Sequence, residues 1–387
     1  MDTKAAAKSV VHDNEERLIE LSHRIHANPE TSFEEVQAAE WTASALNDGG
    51  FSIEAGVADL PTAYVASSGS GPLTIGICAE YDALPGIGHA CGHNVIAAAA
   101  VGAGLALAPL ADELGITVKV FGTPAEEGGG GKVLMLERGV FAGVHAAMMV
   151  HPAPSEMDHM PCLAVSHINV HYHGKAAHAS GFPQLGINAA DAITVAQTAI
   201  GLLRQHINST DRIHGIVTHG GDAPNIVPDH TSGKWYIRAN DLAELAALEP
   251  RVHRCFEAGA IATGCTYEID EPMPKYSEMR DDLDLRAVYR ANAEGLGRSF
   301  IDLSAEVGQR LAGSTDMANV SLAIPTIHPM LGLDCFPISN HQPEFAAFCV
   351  TPAADKALLD GAAAMAMTVI DAAAEGPLRE RLLSAAR

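Results

Sequence analysis

The chain has few basic residues. Its 387 residues include 24 Lys and Arg against 47 Asp and Glu, so the formal net charge is −23. A surface this acidic repels nucleic-acid phosphates and anionic lipid, which argues against nucleic acid and membranes as partners. The 48% share of hydrophobic residues excludes intrinsic disorder. The length exceeds one typical domain and indicates two domains, or one large domain with an insertion.

Paired cysteines, a leader sequence and long apolar runs are also missing. The seven cysteines are an odd number without paired spacing, so a disulfide framework is not indicated and a reducing cytoplasm is favoured. The N-terminal segment lacks the basic start and apolar core of a signal peptide. The longest apolar run, residues 95–111, is shorter than the ~20 residues of a membrane helix and contains Pro109. We expect it to form a buried helix.

The first half of the chain alternates between strand-like and helix-like segments. Short apolar runs occur at residues 73–78, 116–121 and 146–150. Helix-like stretches separate them, including residues 94–107, and this alternation predicts an α/β domain built on a parallel sheet. Ahead of these runs, Ser32 followed by Glu35 predicts a capping box that opens a helix ending at Gly49.

Each apolar run leads directly into polar residues. Glu80 and Asp82 follow the first run, Glu126 and Glu127 follow the second, and His151 follows the third. Sites in open α/β sheets form beyond the carboxyl ends of the strands, so we expect these side chains to share one site.

The pattern changes between residues 165 and 275. Strand, helix, strand, strand, helix and strand segments follow one another at 165–173, 188–206, 212–219, 231–238, 242–262 and 265–270. This β-α-β-β-α-β order is that of a ferredoxin-like unit. It predicts a second domain, 165–275, inserted into a catalytic domain made of 1–164 and 276–387. His167, His171 and His173 alternate on one side of its first strand, where a solvated or interface strand is favoured over a metal site.

Two short segments contain residue types suited to metal chemistry. Cys91 and His93 lie two positions apart in the sequence His-Ala-Cys-Gly-His-Asn, and thiolate and imidazole both bind zinc and similar ions. A buried cysteine beside a structural histidine is the alternative. Glu126 and Glu127 precede a run of four glycines that allows close backbone approach. One carboxylate can bind metal while its neighbour acts as general base.

Further motifs, together with these, carry a family resemblance. They lie at residues 79–85, 89–94, 124–128, 151–152, 174–180, 225–228, 313–316 and 341. The chain resembles di-metal amidohydrolases of the aminoacylase/carboxypeptidase type, closest to the branch of aminobenzoyl-glutamate hydrolase and β-alanyl-lysine dipeptidase. The resemblance implies an α/β, mixed-sheet, zinc-peptidase-like catalytic domain with an inserted α+β ferredoxin-like lid and dimerisation domain.

The resemblance also implies roles for individual residues. The matching metal ligands are Cys91, His93, Glu127, His151 and His341. Glu126 matches the general base, and Asp82 matches the carboxylate that supports the site.

His178 matches a lid histidine that reaches an active site, often across a dimer interface, and helps to hold the oxyanion. Asn225 and Arg238 match lid residues that hold the substrate's free carboxylate, and we expect these two to converge on one pocket. Glu80 occupies a position where many relatives have Asp, and it is left off the ligand set.

These inferences predict a cytoplasmic, homodimeric, metal-dependent amidohydrolase. Its substrate would be a small molecule, either a dipeptide or an N-acyl or N-aroyl amino acid with a free carboxylate. One or two divalent ions are expected, zinc first, with manganese or cobalt as alternatives.

A cysteine-nucleophile amidase using Cys91 and His93 is a rival interpretation, but it gives Glu126 and Glu127 no role. A non-catalytic binding protein with structural metal is another, and an intact Glu126 argues against it. The substrate's acyl group and amino acid stay open, as does the division of ligands between two ions.

Overall fold

The computed structural model describes residues 2–301 and 312–385. The chain divides into two compact units: a main unit, Met1–Pro161 with Met279–Arg387, and an inserted unit, Cys162–Glu278. The insertion expected at 165–275 begins and ends three residues inside these bounds.

The strands and helices are numbered in chain order. The strands are β1 Ser52–Ala55, β2 Tyr64–Ser68, β3 Leu73–Glu80, β4 Ile116–Thr123, β5 Ala146–Met148, β6 His151–Ala153, β7 Ala164–His173, β8 Arg212–His219, β9 His230–Ala239, β10 Thr266–Asp270, β11 Thr326–Ile327 and β12 Met330–Gly332. The helices are α1 Thr3–Asp13, α2 Glu15–Ala27, α3 Val36–Asp48, α4 His93–Leu107, α5 Ala111–Leu114, α6 Gly131–Glu137, α7 Ala189–Leu203, α8 Leu242–Thr263, α9 Leu283–Gly295, α10 Met317–Ala323, α11 Pro343–Phe348, α12 Pro352–Ala373 and α13 Pro377–Ala385.

A mixed six-stranded sheet forms the centre of the main unit. Its order is β1-β2-β4-β3-β5-β11, with parallel pairing from β4 to β11 and antiparallel pairing at β1 and β2. The predicted α/β class is confirmed. The apolar runs predicted β3, β4 and β5 because parallel strands buried on both faces are continuously apolar. The four-residue β1 is mostly exposed and carries no such signal.

The main core surrounds α4, whose fifteen residues are all buried. Small side chains allow neighbouring helices to approach α4 closely. If Gly102 carried a side chain, its Cβ would lie only 2.9 Å from side-chain atoms of Ala362 and Leu18, which is too close for an ordinary contact. The stretch His93–Leu114 is long and apolar enough to cross a membrane, but 83% of its apolar segment is buried inside the protein, as in a core helix. The expected buried helix is therefore confirmed.

The predicted capping box at α3 is wrong. Glu35 is itself the N-cap, and its carboxylate accepts hydrogen bonds from the backbone N–H groups of Phe33 and Ala125 and from the Thr62 hydroxyl. The carboxylate of Glu30, six positions before the helix, accepts hydrogen bonds from the backbone N–H groups of Gln37 and Ala38 in the first turn. A carboxylate that lies outside the local capping motif can accept from these N–H groups. The Ser32–Glu35 spacing therefore did not identify Glu30 as the acceptor.

The inserted unit has one antiparallel sheet in the order β10-β7-β9-β8. This order and the chain order β7-α7-β8-β9-α8-β10 are those of a ferredoxin-like unit. One face of the sheet packs on α7 and α8, and Ile168, Val170 and Tyr172 of β7 are buried there. The other face, which we call the open face, carries His171 and His173.

Candidate metal centre

The carboxyl ends of the parallel strands bring the polar residues together. β3 and β4 end in register, with Glu80 opposite Thr123. The chain after β3 supplies Asp82, and the chain after β4 supplies Glu127, whose backbone N–H donates to Asp82 Oδ2 at 2.9 Å. Two separate strand ends therefore meet at one site, the arrangement that open α/β sheets favour.

The five predicted ligands lie in two overlapping groups. Cys91 Sγ is 3.4 Å from His151 Nε2 and 3.6 Å from His341 Nε2. His341 Nε2 is 3.5 Å from Glu127 Oε1. Ligand atoms of Cys91, His93 and His151 lie within 4.8 Å of one another, and so do those of Cys91, Glu127 and His341. Cys91 belongs to both groups.

Local backbone conformation places three of these ligands. Gly92 has φ +78, and a Cβ there would lie 2.8 Å from Pro152. Only glycine fits this left-handed turn without strain, and the turn separates Cys91 from His93 at the start of α4. The backbone N–H of His341 donates to Ala90 O at 2.8 Å, which ties the distant histidine loop to the cysteine loop.

Neighbouring groups orient the histidines. His93 Nδ1 lies 3.0 Å from Asp82 Oδ1, so its Nε2 faces the centre. His151 Nδ1 lies 2.8 Å from Pro152 O, and its Nε2 faces Cys91. Histidines that bind metal generally donate their other ring N–H to a carboxylate or a carbonyl in this way.

The donor set fits divalent metal ions. Among the residues that the structure describes, the buried atom His93 Nε2 has no hydrogen-bond partner. Leaving such atoms unsatisfied costs about 1–3 kcal/mol each, more for charged groups, and a bound cation removes this cost. One thiolate, three imidazoles and a carboxylate are ligand types that suit zinc and similar ions.

A third group was not predicted. Ligand atoms of Glu80, His93 and Glu126 also lie within 4.8 Å of one another. Glu80 is buried, with Oε2 at 3.4 Å from His93 Nε2 and Oε1 at 2.6 Å from Lys132 Nζ. Lys132 Nζ also pairs with Asp316 Oδ1 at 2.5 Å, and all three side chains are fully buried. Lys132 directly follows the glycine run, but nothing in the local sequence indicated its partners.

The pKa values of the two adjacent glutamates are shifted in opposite directions. Burial, followed by the charges of Glu80 and Glu127, raises the pKa of Glu126 well above its ordinary value. Burial also opposes ionisation of Glu127, but a hydrogen bond from His341 and the charge of His93 outweigh it and lower its pKa. Neighbouring carboxyls whose pKa values are pushed apart are typical of a pair with two different roles.

The electrostatics disfavour a cysteine nucleophile. Burial, followed by the charges of Glu127 and Glu126, raises the pKa of the Cys91 thiol well above its ordinary value. Reactive cysteines need the opposite, an electropositive environment that lowers the pKa. A cation bound between Cys91 and Glu127 would favour the thiolate instead.

The inserted unit contains the other three predicted residues. His178 forms a β-bridge with Ile226, and Ala179 N–H donates to Asn225 O at 3.0 Å, so the His178 and Asn225 segments are adjacent. They lie beyond the end of β9 that starts at His230, whereas Arg238 pairs with Val165 near its other end.

The expected convergence of Asn225 and Arg238 within one chain is therefore wrong. The nine strand residues from His230 to Arg238, eight steps of about 3.3 Å, span about 26 Å. Arg238 Nε instead lies 3.3 Å from His214 Nε2 on β8. The expectation assumed that an antiparallel strand pair brings the two residues together, but Asn225 lies in the loop before β9 and Arg238 lies near the other end of that strand.

Comparisons with known proteins agree with this architecture. The profile of Peptidase family M20/M25/M40 matches residues 76–371. An Xaa-Arg dipeptidase of Mus musculus is 38% identical over 390 residues, covering 95% of this chain and 88% of that protein. A p-aminobenzoyl-glutamate hydrolase chain of Escherichia coli (strain K12) is 36% identical over 274 residues, covering 65% of this chain and 57% of that protein.

Two solved structures share the fold at low sequence identity. An aminobenzoyl-glutamate utilization protein from Klebsiella pneumoniae has a TM-score of 0.72 at 20% identity, covering 92% of this chain and 96% of its own. A Bacillus subtilis protein described as a dinuclear metal binding peptidase has a TM-score of 0.65 at 22% identity, covering 93% of this chain and 99% of its own.

Proposed function

The chain belongs to peptidase family M20/M25/M40 and is a hydrolase, and we propose that it cleaves the amide bond of a dipeptide or an N-acyl or N-aroyl amino acid with a free carboxylate. The observation that carries this proposal is the convergence of Cys91, His93, Glu127, His151 and His341 next to Glu126. The names of the two relatives support the substrate class, since one is a dipeptidase and the other hydrolyses an aminobenzoyl-glutamate.

Those five residues would hold one or two divalent ions. Zinc fits the sulfur and nitrogen donors best, and manganese or cobalt are the alternatives. When bound, such ions supply Lewis-acid polarisation of the scissile carbonyl and lower the pKa of water. Asp82 holds the His93 ring through its 3.0 Å contact with Nδ1, so that Nε2 keeps its direction toward the ion.

Glu126 is proposed as the general base. Its Oε2 lies 3.9 Å from His93 Nε2, which places it beside the ligands of the Cys91 groups without belonging to them. It would accept a proton from the attacking water as the new C–O bond forms. It would then donate that proton to the amine nitrogen as the C–N bond breaks, releasing a carboxylate and an amine.

Residues of the inserted unit would bind the substrate. His178 is proposed to donate a hydrogen bond to the oxyanion, and Asn225 and Arg238 to bind the substrate carboxylate. Because Asn225 and Arg238 lie at opposite ends of one sheet, a homodimer can supply them to a single site from two copies of the chain. Light scattering at assay concentration tests this assembly, and a fully active monomer would contradict it.

We also propose that the protein works in the cytoplasm. All seven cysteines lie in the described part of the chain, and all are free. Free cysteines, six of them buried, are typical of a reducing compartment.

The proposed activity is tested with a substrate panel. Chelator-stripped protein is reloaded with zinc, manganese or cobalt and assayed for release of amino acid from dipeptides and from N-acyl and N-aroyl amino acids. Each acid is paired with its C-terminal amide, which lacks the free carboxylate. The proposal expects metal-dependent hydrolysis that is faster on the acids. Equal rates on acids and amides would remove the support for carboxylate recognition.

A further inference from the structure

A second group of imidazoles lies on the open face of the inserted unit. His171 and His173 are on β7, His219 ends β8, and His230 begins β9. The ring centroids of the first three lie 5.5, 5.1 and 5.2 Å from that of His230. We call these four residues the histidine cluster. From the sequence, only the two cluster residues on β7 could be recognised, by their alternation. His219 and His230 come beside them only when β8 and β9 pair in the sheet.

Strand pairing explains why the four rings meet. Alternate residues of a strand point to the same face, so His171 and His173 share the open face. His173 is directly opposite His230 in the β7–β9 register, where Cβ atoms are about 4.5–5.5 Å apart. His219 pairs with Ser232 across the β8–β9 ladder, which brings its ring to the other side of His230. The central strand thus has imidazoles on both sides.

The nitrogens of one pair in the cluster are spaced like those of two ligands to one ion. His171 Nδ1 lies 3.2 Å from His230 Nε2. Two nitrogens bound to one zinc ion at 2.0–2.1 Å in tetrahedral geometry are about 3.3 Å apart. A set of three histidines with an open fourth position is an established type of zinc site.

Carboxylates stand behind three of the rings. Asp270 Oδ1 is 3.7 Å from His171 Nε2, Glu268 Oε1 is 3.9 Å from His173 Nε2, and Asp222 Oδ1 is 3.7 Å from His219 Nε2. In His171, Nε2 faces the Asp270 carboxylate, while the other ring nitrogen, Nδ1, faces His230. All three distances exceed hydrogen-bond range, so the carboxylates are acidic neighbours of the rings rather than hydrogen-bonded partners.

The cluster is also accessible from solvent. The side chains of His171, His173 and His219 are 35%, 45% and 36% exposed, so an ion can reach them from solvent. Four imidazoles so close together repel one another when protonated, and the neutral form is the one that binds metal.

We propose that the histidine cluster is a second metal site, separate from the Cys91 centre, which binds one zinc ion or a similar ion such as Ni²⁺ or Cu²⁺. His171, His173 and His230 are the ligands, and His219 or water completes the coordination. The simpler interpretation of the same geometry is a pair of histidines joined by one hydrogen bond on a solvated strand. The two interpretations differ in the number of metal ions per chain.

The test compares metal content between variants of the full chain. Wild type, the double variant His171→Asn/His230→Asn and the control His206→Asn, which changes an exposed histidine of the same unit, are dialysed against low-micromolar zinc. Metal per chain is then measured by mass spectrometry, and hydrolytic activity is assayed in parallel. We expect the double variant to hold one ion fewer than wild type and the control, with kcat/KM within about twofold.

Three outcomes would overturn the proposal. Equal zinc content in all three proteins would leave only the hydrogen-bonded pair. Loss of an ion together with loss of activity would show that the missing ion belonged to the Cys91 centre. If the double variant does not fold, His173→Asn replaces it, with competition against a chromophoric chelator as the readout. An affinity of that variant within threefold of wild type would also contradict the assignment of His173 as a ligand, for which we expect at least a tenfold loss.

Discussion

Lys132 and Glu80 form an ion pair, with Nζ and Oε1 2.6 Å apart, in a region where both side chains are fully buried. Burial opposes both charges. The carboxylates of Asp316 and Glu80 nevertheless raise the pKa of Lys132, and Lys132, followed by His93, holds the pKa of Glu80 at about 2. Glu80 is therefore ionised next to His93. Its negative charge is balanced by Lys132, so it does not need a bound metal ion as its counter-charge.

Replacing Lys132 by Met should destabilise the protein strongly. It leaves the carboxylates of Glu80 and Asp316 buried without their cation, and removing one partner of a buried ion pair costs about 3–5 kcal/mol. Urea unfolding followed by circular dichroism measures the change. Lys8→Met, at an exposed position on α1, is the matched control and should change the free energy of unfolding by less than about 0.5 kcal/mol. Similar effects for both variants would show that the buried pair is not stabilised as described.

Asp82→Asn should weaken metal binding. The side chain would still contact His93 Nδ1, but it would lose the charge that fixes the ring and raises its basicity. Losing such a partner typically lowers metal affinity about 10–100-fold. Competition with a chromophoric chelator measures the affinity, and Asp112→Asn, an exposed substitution of the same type, is the control. Wild-type affinity in Asp82→Asn would remove this residue from the supporting role.

Glu35 should make stability depend on pH. Burial, followed by the charge of Asp82, raises its pKa from 4.5 to about 7. A carboxyl with a raised pKa stabilises the fold fully below its unfolded value, and this contribution is lost as pH rises through the folded value. Relative to Glu35→Gln, wild type should therefore lose up to about 3 kcal/mol of unfolding free energy between those two pH values. Urea unfolding of both proteins at about pH 5 and about pH 8 tests this, and parallel pH profiles would contradict it.

Arg238 is tested with a double cycle of enzyme and substrate. If its guanidinium binds the substrate carboxylate, Arg238→Ala should lower kcat/KM by about one to two decades, the equivalent of a charge-assisted hydrogen bond of about 1.5–3 kcal/mol. Arg238→Lys should be nearly as damaging, since it loses the forked geometry. On the amide form of the substrate, Arg238→Ala should add little. Losses that simply add would show that Arg238 does not contact that carboxylate.

The sequence predicted features that depend on local pattern. Apolar runs followed by Glu80, Asp82, Glu126 and Glu127 indicated both the strands and the shared strand-end site, because parallel strands end at one edge. Pairings between distant segments were not predictable in this way. Lys132 meets Asp316 across 184 positions, and the Glu35 carboxylate accepts from Ala125, 90 positions away. Such contacts follow from tertiary packing, which no local spacing encodes.

The separation of Asn225 from Arg238 has the same cause. The two residues are only thirteen positions apart in the sequence, and an antiparallel pair of strands was expected to bring them together. The structure places ten residues, His230–Ala239, in one extended strand, so that sequence proximity becomes distance along the sheet. Because β9 pairs along its length with β7 and β8, it stays extended and its two ends stay far apart. The alternation of residues alone did not show this.

The central claim is that Glu126 moves the proton in a metal-dependent hydrolysis, and kinetics of metal-replete Glu126→Gln test it most directly. The amide keeps the shape of the side chain but cannot accept the proton, so kcat should fall at least ~10²-fold. Metal content per chain, measured on the same sample, should equal that of wild type. Near-normal turnover with a full metal complement would contradict the account.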